Sequence, residues 1–443
     1  MAGPSATAPH GKEATMTNPI EPTAPATAPT SAASTESRSA PRGFTLLVAF
    51  AAIGAGAAQM SAALLTLTLK ATELDSTAAT ATISLSSGIA GAFTLIALPT
   101  VGALSDRTRS RLGRRRPYLL AAAAAFALGG LLLITAPAVP VLVLAHLLIT
   151  AGFVTAGVTT TALVADQLPP DERGPVTAML SMGTPLGALV GMAVGTPFGD
   201  RLVPLVGIPT AIAVVAMLLL AAVIHDPRAD RAPARLDWRE LLGVFWVNPL
   251  RFPDFALVFA SRLLVFSGVA ALNGYQAIFL LRELDLSPAQ LGGTILLTVV
   301  INAGVTMLTA PAVGRLTDAL NVRKPFVLAA AMILGAGLLI AAAAPGLGVY
   351  LFACGVVGLG QGVYFAVELV LATRVLPDPD NPAKDLGLLK IADNLPVALV
   401  AAVAPALLAI GASGGENFAA LFVAGAVAAF AGGSLILFIR GAR

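Results

Sequence analysis

Charged residues are scarce in this sequence, because only 12% of its 443 residues are Asp, Glu, Lys or Arg. Soluble globular proteins usually contain about 25% charged residues, so this shortage excludes most soluble folds. Hydrophobic residues instead make up 57% of the chain, and the mean hydropathy is +0.85. The composition therefore indicates a chain that lies largely within a lipid bilayer.

Metal-ligating side chains are also rare. The single cysteine, Cys354, excludes a disulfide framework and a cysteine metal site. The histidines are His10, His146 and His225, which are too far apart in the sequence to form a metal-binding motif. We therefore expect neither a metal nor another cofactor.

Three functional classes lack their characteristic patterns. The sequence contains no Gly-x-x-x-x-Gly-Lys-Ser/Thr loop, which argues against an ATP-driven pump. It contains no clustered catalytic set, so we do not expect an enzyme. Its arginines flank apolar runs and do not alternate with aromatic residues, which argues against nucleic-acid binding.

Long apolar segments dominate the chain, and each is close to the roughly 20 residues that a bilayer-spanning helix needs. Twelve spans are predicted, at 44–69, 80–101, 117–136, 138–164, 174–197, 203–224, 254–281, 289–312, 325–344, 346–372, 386–409 and 417–440. The expected fold is an all-α membrane protein with two six-helix bundles. The predicted divisions are a disordered cytoplasmic tail (1–41), an N-terminal bundle (42–225), a cytoplasmic central loop (226–253) and a C-terminal bundle (254–443).

Basic residues predict the orientation of the spans. Of the 27 Lys and Arg residues, only Lys70, Arg201 and Arg282 fall in loops on one side, and Arg262 and Lys390 lie inside spans. Because cytoplasmic loops carry the excess of Lys and Arg, both termini are predicted to be cytoplasmic. We expect a monomeric plasma-membrane protein whose partners are lipid, a small solute and protons.

The strongest motif is Gly-Ala-Leu-Ser-Asp-Arg-Thr-Arg-Ser-Arg-Leu-Gly-Arg-Arg-Arg-Pro, from Gly102 to Pro117. It resembles the signature between helices 2 and 3 of the major facilitator superfamily, and its longer form is similar to the branch of glycoside–cation symporters and plant sucrose carriers. A related segment, Gly314-Arg-Leu-Thr-Asp318, precedes Arg323-Lys324-Pro325. This internal similarity indicates two parallel repeats, as in many carriers.

The resemblance implies that the motif is a conformational latch that ties helices 2 and 3 to helix 11 in one conformation. A glycine at 102 lets helix 2 approach a neighbouring helix closely. Asp166, at the C-terminal end of helix 4, opposes the helix macrodipole and is expected to pair with the motif's arginines. The alternative is a positive-inside anchor without a switching role. The predicted latch residues are Gly102, Asp106, Arg107, Arg114, Arg115, Asp166, Gly314 and Asp318.

Arg262 and Glu368 are charged residues inside predicted spans, where such residues tend to mark ion or substrate paths. At about 1.5 Å per residue they lie at matching depths on helices 7 and 10. The resemblance places both helices beside a central cavity, so the two side chains are expected to meet. Glu368 would carry a proton under the influence of Arg262. The alternative is a static pair.

Further polar residues fall on the helices that the resemblance places around the cavity. Lys390 and Asp393 lie three residues apart on helix 11 and are predicted to pair locally. Helices 1 and 2 lack the aspartates that melibiose-type carriers use with cations, which argues against sodium coupling by that mechanism. The predicted cavity residues are Gln59, His146, Asn273, Tyr275, Gln276, Gln361 and Tyr364.

These patterns together predict a secondary transporter of a small organic solute, coupled to protons, with a sugar-like molecule as a candidate substrate. A drug or secondary-metabolite exporter of the same fold is the alternative within this class. A non-transporting membrane sensor is the alternative from another class.

Overall fold

The computed structural model of the protein describes residues 43–226, 249–320, 322–373, 382–411 and 415–439. The predicted tail at 1–41 and most of the predicted central loop lie outside these residues. The described part is helical, and it contains 12 helices that are long and apolar enough to cross a membrane. The predicted all-α class and the number of spans are therefore confirmed.

The helices are numbered here in chain order. We call α1–α6 the N bundle and α7–α12 the C bundle. Their bounds are α1 (Phe44–Leu74), α2 (Ala79–Arg107), α3 (Arg116–Thr135), α4 (Val139–Gln167), α5 (Pro170–Gly195), α6 (Leu202–Val223), α7 (Pro253–Arg282), α8 (Pro288–Leu320), α9 (Lys324–Ala342), α10 (Leu347–Thr373), α11 (Pro382–Leu408) and α12 (Phe418–Leu435).

Several helices begin at a proline. The predicted starts of α3, α4, α7 and α9 lie within one residue of the observed starts, whereas α5 begins four residues earlier than predicted. Prolines occupy the first or second position of α3, α4, α5, α7 and α9. Proline is favoured there because its fixed φ suits a helix and the N–H it lacks has no intrahelical partner. The predicted ends of α2 and α8 were several residues too early. Both helices continue beyond the apolar run into a segment with charged residues. Hydropathy marks the apolar run and does not reveal that the helix extends past it.

Small residues allow α1 and α5 to pack closely within the N bundle. A methyl group at Gly187 would lie 2.5 Å from the backbone nitrogen of Ala57, and one at Gly56 would lie 2.7 Å from the carbonyl oxygen of Gly183. Membrane helices lack a hydrophobic driving force between them and associate through such close contacts. One turn of α1, Ala62–Thr66, is a π-helix, a feature that often occurs at functional sites.

The two bundles contact each other at the end of the molecule where α1 leads into α2, which we call the α1–α2 face. Arg282 of the C bundle pairs with Glu416 and donates to the backbone carbonyl of Ser76 in the N bundle. Thr80 donates to Glu416 at 2.8 Å. We call the four residues Arg282, Glu416, Ser76 and Thr80 the clamp. The clamp holds this face closed.

Two further contacts extend the closure toward the middle of the helices. The hydroxyl groups of Ser84 and Tyr275 are 2.7 Å apart. A methyl group at Gly91 of α2 would lie 2.9 Å from the backbone nitrogen of Ala398 of α11. At the opposite end, the α2–α3 face, charged side chains remain accessible, and Lys390 is 74% exposed. The structure is thus closed at the α1–α2 face.

Asp75 orders the loop between α1 and α2, which contains the clamp residue Ser76. This carboxylate accepts hydrogen bonds from the side chain and backbone of Thr77 and from the backbone of Ala78. The Thr77 side chain, followed by the two backbone amides, lowers the pKa of Asp75 below its ordinary value. The ionised carboxylate therefore fixes the turn that presents the Ser76 carbonyl.

Loss of the clamp should open the α1–α2 face. We expect the double variant Arg282→Met with Glu416→Gln to lengthen the distance between spin labels at positions 200 and 287, which are exposed and flank the Gly199–Ala289 contact between the bundles. Double electron–electron resonance measures this distance. The exposed neighbour Glu283→Gln is the matched control and should leave the distances unchanged. An unchanged distribution in the double variant would contradict the role of the clamp.

Candidate functional site

A cavity of about 270 Å³ lies between the two bundles. It is lined by residues of α1, α2 and α4 in the N bundle and of α7 and α11 in the C bundle. Of the predicted cavity residues, Gln59, His146, Asn273 and Tyr275 line it, whereas Gln276 borders a smaller neighbouring cavity. Pockets between helical bundles of this kind commonly bind small molecules.

Gln361 and Tyr364 of α10 do not line this cavity in the described part of the chain. Tyr364 is buried behind Phe266 of α7, with its ring edge toward that ring at a centroid distance of 5.9 Å. Phe266 itself lines the cavity. The family resemblance placed α10 at the cavity wall, and it does not reveal that the Phe266 side chain lies between α10 and the cavity.

The N-bundle wall carries hydrogen-bonding atoms that the described protein does not satisfy. His146 is buried, and its Nδ1 atom lies 2.9 Å from the hydroxyl oxygen of Ser86. Its Nε2 atom and the Oε1 atom of Gln59 are buried without a partner among the described residues. Buried polar atoms are normally paired, so these two atoms suit a polar group of a bound molecule or water.

The C-bundle wall is held by hydrogen bonds across helices. Ser84 of the N bundle fixes the hydroxyl group of Tyr275. Thr298 of α8 donates to the side-chain oxygen of Gln276 at 3.1 Å, which explains why that amide turns away from the main cavity. Asn273 and Asn394 add amide groups to the wall of the main cavity.

The α7–α10–α11 cluster consists of Arg262, Glu368 and Asp393. Arg262 pairs with Glu368, and its Nε atom donates to Oδ1 of Asp393 at 2.5 Å. The guanidinium group also lies 5.5 Å from the centre of the Phe266 ring, within the range of a cation–π interaction. The structure thus brings together the two charged residues singled out in the sequence and adds a third.

Asp393 was missed as a member of this cluster because the sequence suggested only its neighbour on the same helix. Lys390 is 3.4 Å from Asp393, but its side chain is 74% exposed and its charge is therefore largely solvated. Asp393 lines the cavity and is 19% exposed, whereas Glu368 is 3% exposed and does not line it. The two carboxylates consequently differ in their access to the cavity.

Arginines of the motif join three helices at the α2–α3 face. Arg115 lies 2.7 Å from Asp106 at the end of α2 and 2.9 Å from Asp166 at the end of α4. Arg114 contacts the same two carboxylates, at 3.4 and 3.1 Å. Arg107 donates to the backbone carbonyl of Ala103 on its own helix. Two carboxylates and two guanidinium groups therefore form a compact network. Arginine suits these positions better than lysine because its guanidinium group presents several hydrogen-bond donors in a rigid fork.

Asp226 joins this network from the end of the N bundle and was not singled out in the sequence. Its Oδ2 atom accepts from the backbone N–H groups of Arg115 and Arg116 at 2.6 and 2.8 Å. A carboxylate at a helix N-terminus is stabilised by the helix dipole. Gly113 has a φ of +109°, and a methyl group there would lie 2.4 Å from Asp226, so this position requires glycine.

The glycines and the second copy of the motif make fewer contacts than expected. A methyl group at Gly102 would meet only Val158, at 3.8 Å, so the close helix approach expected there is not present in this conformation. Gly314 has no neighbour within 4 Å of such a methyl group, and Asp318 contacts Arg323 at 3.4 Å. Because the bundles meet at the opposite face, both glycines are left with open space beside them.

Comparisons with known proteins agree with this architecture. Comparison with curated protein sequences gives no match. Solved structures with a similar fold include a peptide transporter in complex with alafosfalin (17% identity, TM-score 0.69, covering 90% of this chain and 94% of that one). Others are the nucleoside transporter NupG (14%, 0.66, 89% and 99%) and a D-xylose–proton symporter (19%, 0.64, 90% and 98%).

These structural similarities, at low identity, show the fold. The sequence itself matches the Major Facilitator Superfamily over residues 44–311, which is more than half of the chain. The chain therefore belongs to the Major Facilitator Superfamily and is a multi-pass membrane transporter, not an enzyme.

Proposed function

We propose that this transporter is a proton-coupled secondary carrier of a small organic solute and that it acts as a monomer in the plasma membrane. The observation that carries the proposal is the charge imbalance of the α7–α10–α11 cluster beside the cavity. One arginine faces two carboxylates there. An excess charge within a membrane span is costly, and binding one proton removes it.

The lining of the cavity favours a solute without negative charge. No lysine or arginine lines it among the described residues, and its one charged lining residue is Asp393. The unpartnered Oε1 atom of Gln59 needs a hydrogen-bond donor. A neutral solute with hydroxyl or amide hydrogens meets both requirements. This chemistry favours a sugar-like molecule, as does the similarity of the Gly102–Pro117 motif to the glycoside–cation branch.

A second candidate is the export of a drug or secondary metabolite. Phe153 of α4 and Phe266 of α7 line the cavity from opposite bundles. Two aromatic rings on facing walls favour a solute with an apolar surface. The two candidates share the coupling mechanism and differ in the direction of transport and the polarity of the solute.

Neutralising the whole cluster should separate transport from coupling. The substrate is first identified with a panel of sugars, polyols and secondary metabolites, in uptake and efflux assays with and without an uncoupler. In proteoliposomes, the triple variant Arg262→Met, Glu368→Gln and Asp393→Asn should exchange this substrate but not accumulate it. It strands no charge, so it should avoid the roughly 3–5 kcal/mol cost of breaking a buried pair.

The matched comparison is the wild type with an uncoupler, which should behave like the triple variant. Accumulation by the triple variant that remains complete and sensitive to the uncoupler would contradict coupling through the cluster.

The distribution of basic residues supports cytoplasmic termini, with the α2–α3 face toward the cytoplasm. In a Cys354→Ser background, a cysteine at exposed Ser76 should react with an impermeant maleimide added to intact cells. A cysteine at exposed Arg111 should react only after the cells are permeabilised. The reverse pattern would overturn this orientation.

We further propose that the arginine network at the α2–α3 face acts as a latch. In the present conformation it joins α2, α3 and α4, while Asp106 remains 59% exposed. The open space beside Gly102 would admit a helix of the C bundle when this face closes. The latch would then stabilise the conformation that is open at the α1–α2 face, opposite in effect to the clamp.

The variant Asp106→Asn should therefore depopulate the conformation open at the α1–α2 face. We expect the long-distance fraction between labels at positions 200 and 287 to fall by several-fold or more, because conformational coupling is typically worth about 1–3 kcal/mol. Asp171→Asn, an exposed acid at the start of α5, is the control. Unchanged distances with normal transport by the Asp106 variant would leave the static anchor as the role of the network.

A further inference from the structure

We infer that Asp393, and not Glu368, is the carboxylate of the α7–α10–α11 cluster that takes up and releases the proton. The inference rests on the proposed proton coupling and assigns it to one residue. Glu368 then has a different task, which is to hold Arg262 in place in both protonation states.

Access to the cavity distinguishes the two carboxylates. Asp393 lines the cavity, and its side chain is 19% exposed. Glu368 pairs with Arg262, its side chain is 3% exposed and it is absent from the cavity wall. A proton that arrives through water in the cavity therefore reaches Asp393 first.

The charges around Asp393 permit a single protonation. Oδ1 accepts from Arg262 of α7, and Oδ2 lies toward Lys390 of α11, whose side chain is largely exposed. Glu368 and Tyr364 of α10 are the other titratable groups in this region, and His146 lines the N-bundle wall of the same cavity. With Lys390 solvated, Arg262 and the two carboxylates carry a net charge of −1, and a proton on Asp393 brings this charge to zero.

The step is a reversible proton transfer. A hydronium ion in the cavity water gives a proton to Oδ2 of Asp393 and becomes water, and the hydrogen bond from Arg262 to Oδ1 loses its ionic character. Arg262 keeps its ion pair with Glu368, so its own charge remains compensated. Without Glu368, each protonation of Asp393 would leave a buried guanidinium group without a partner, which is strongly unfavourable.

The position of Asp393 on α11 connects this step to the interface between the bundles. Ala398, five residues farther along α11, makes the close contact with Gly91 of α2. Protonation of Asp393 weakens the tie between α11 and α7, and α11 packs closely on α2 of the N bundle. A change of charge at Asp393 therefore acts on a helix that connects the two bundles.

The assignment can be tested on the purified protein without knowledge of its substrate. A hydrophobic carbodiimide reacts with protonated carboxyl groups in membrane proteins, and peptide mass spectrometry locates the adduct. In the wild type we expect the adduct on Asp393, with labelling that declines in alkaline buffer. Asp393→Asn should lose this labelling, and Glu368→Gln should reduce it on Asp393, because Arg262 then has Asp393 as its one charged partner in the cluster and keeps it ionised.

Infrared difference spectra between acidic and alkaline buffer give an independent measurement. The carbonyl band of a protonated carboxylic acid should be present in the wild type, weaker in Glu368→Gln and absent in Asp393→Asn. If Asp393→Asn does not fold, the adduct map of the wild type decides the question alone.

The possible outcomes separate the two proposals. An adduct on Glu368 with none on Asp393 would overturn the assignment and leave proton coupling by the cluster intact. Absence of an adduct from both residues, together with absence of the carbonyl band, would overturn proton binding by the cluster itself.

Discussion

Arg262 places a positive charge inside a helical bundle whose surroundings are apolar, and the arrangement of the C bundle around it follows from the need to compensate that charge. Such a charge is tolerated only with close partners. Glu368 and Asp393 provide them from two other helices, so α7, α10 and α11 meet at one point. The same requirement creates the excess negative charge that we propose the proton removes.

Charged contacts at the two faces act on the same pair of bundles. At the α1–α2 face, Arg282 and Glu416 of the C bundle hold Ser76 and Thr80 of the N bundle. At the α2–α3 face, the arginine network is satisfied within the N bundle. The first set of contacts holds the present conformation closed at one face. The arginine network leaves the carboxylate of Asp106 partly exposed and available for a different set of contacts.

The cavity connects the two bundles with the α7–α10–α11 cluster, because it lies between the bundles and Asp393 of the cluster lines it. Its N-bundle wall offers the unsatisfied atoms of Gln59 and His146, and its C-bundle wall offers Asp393. A solute that bridges the walls would contact both bundles, while the proton would act on one of them. We propose that coupling arises from this shared boundary, since Asp393 belongs to the cavity wall and to the cluster at once.

The sequence by itself determined the twelve helices, because hydropathy is a property of the local chain. It also gave the residues of the arginine motif. The meeting of Arg262 with Glu368 was predicted from their equal depth together with the family resemblance, which places helices 7 and 10 beside one cavity. Only the tertiary structure decided that Asp393 joins Arg262, that Asp226 caps α3 and that Tyr364 lies behind Phe266. These contacts join residues more than about ninety positions apart, and they depend on the rotation of each helix about its axis, which a continuous apolar run does not specify.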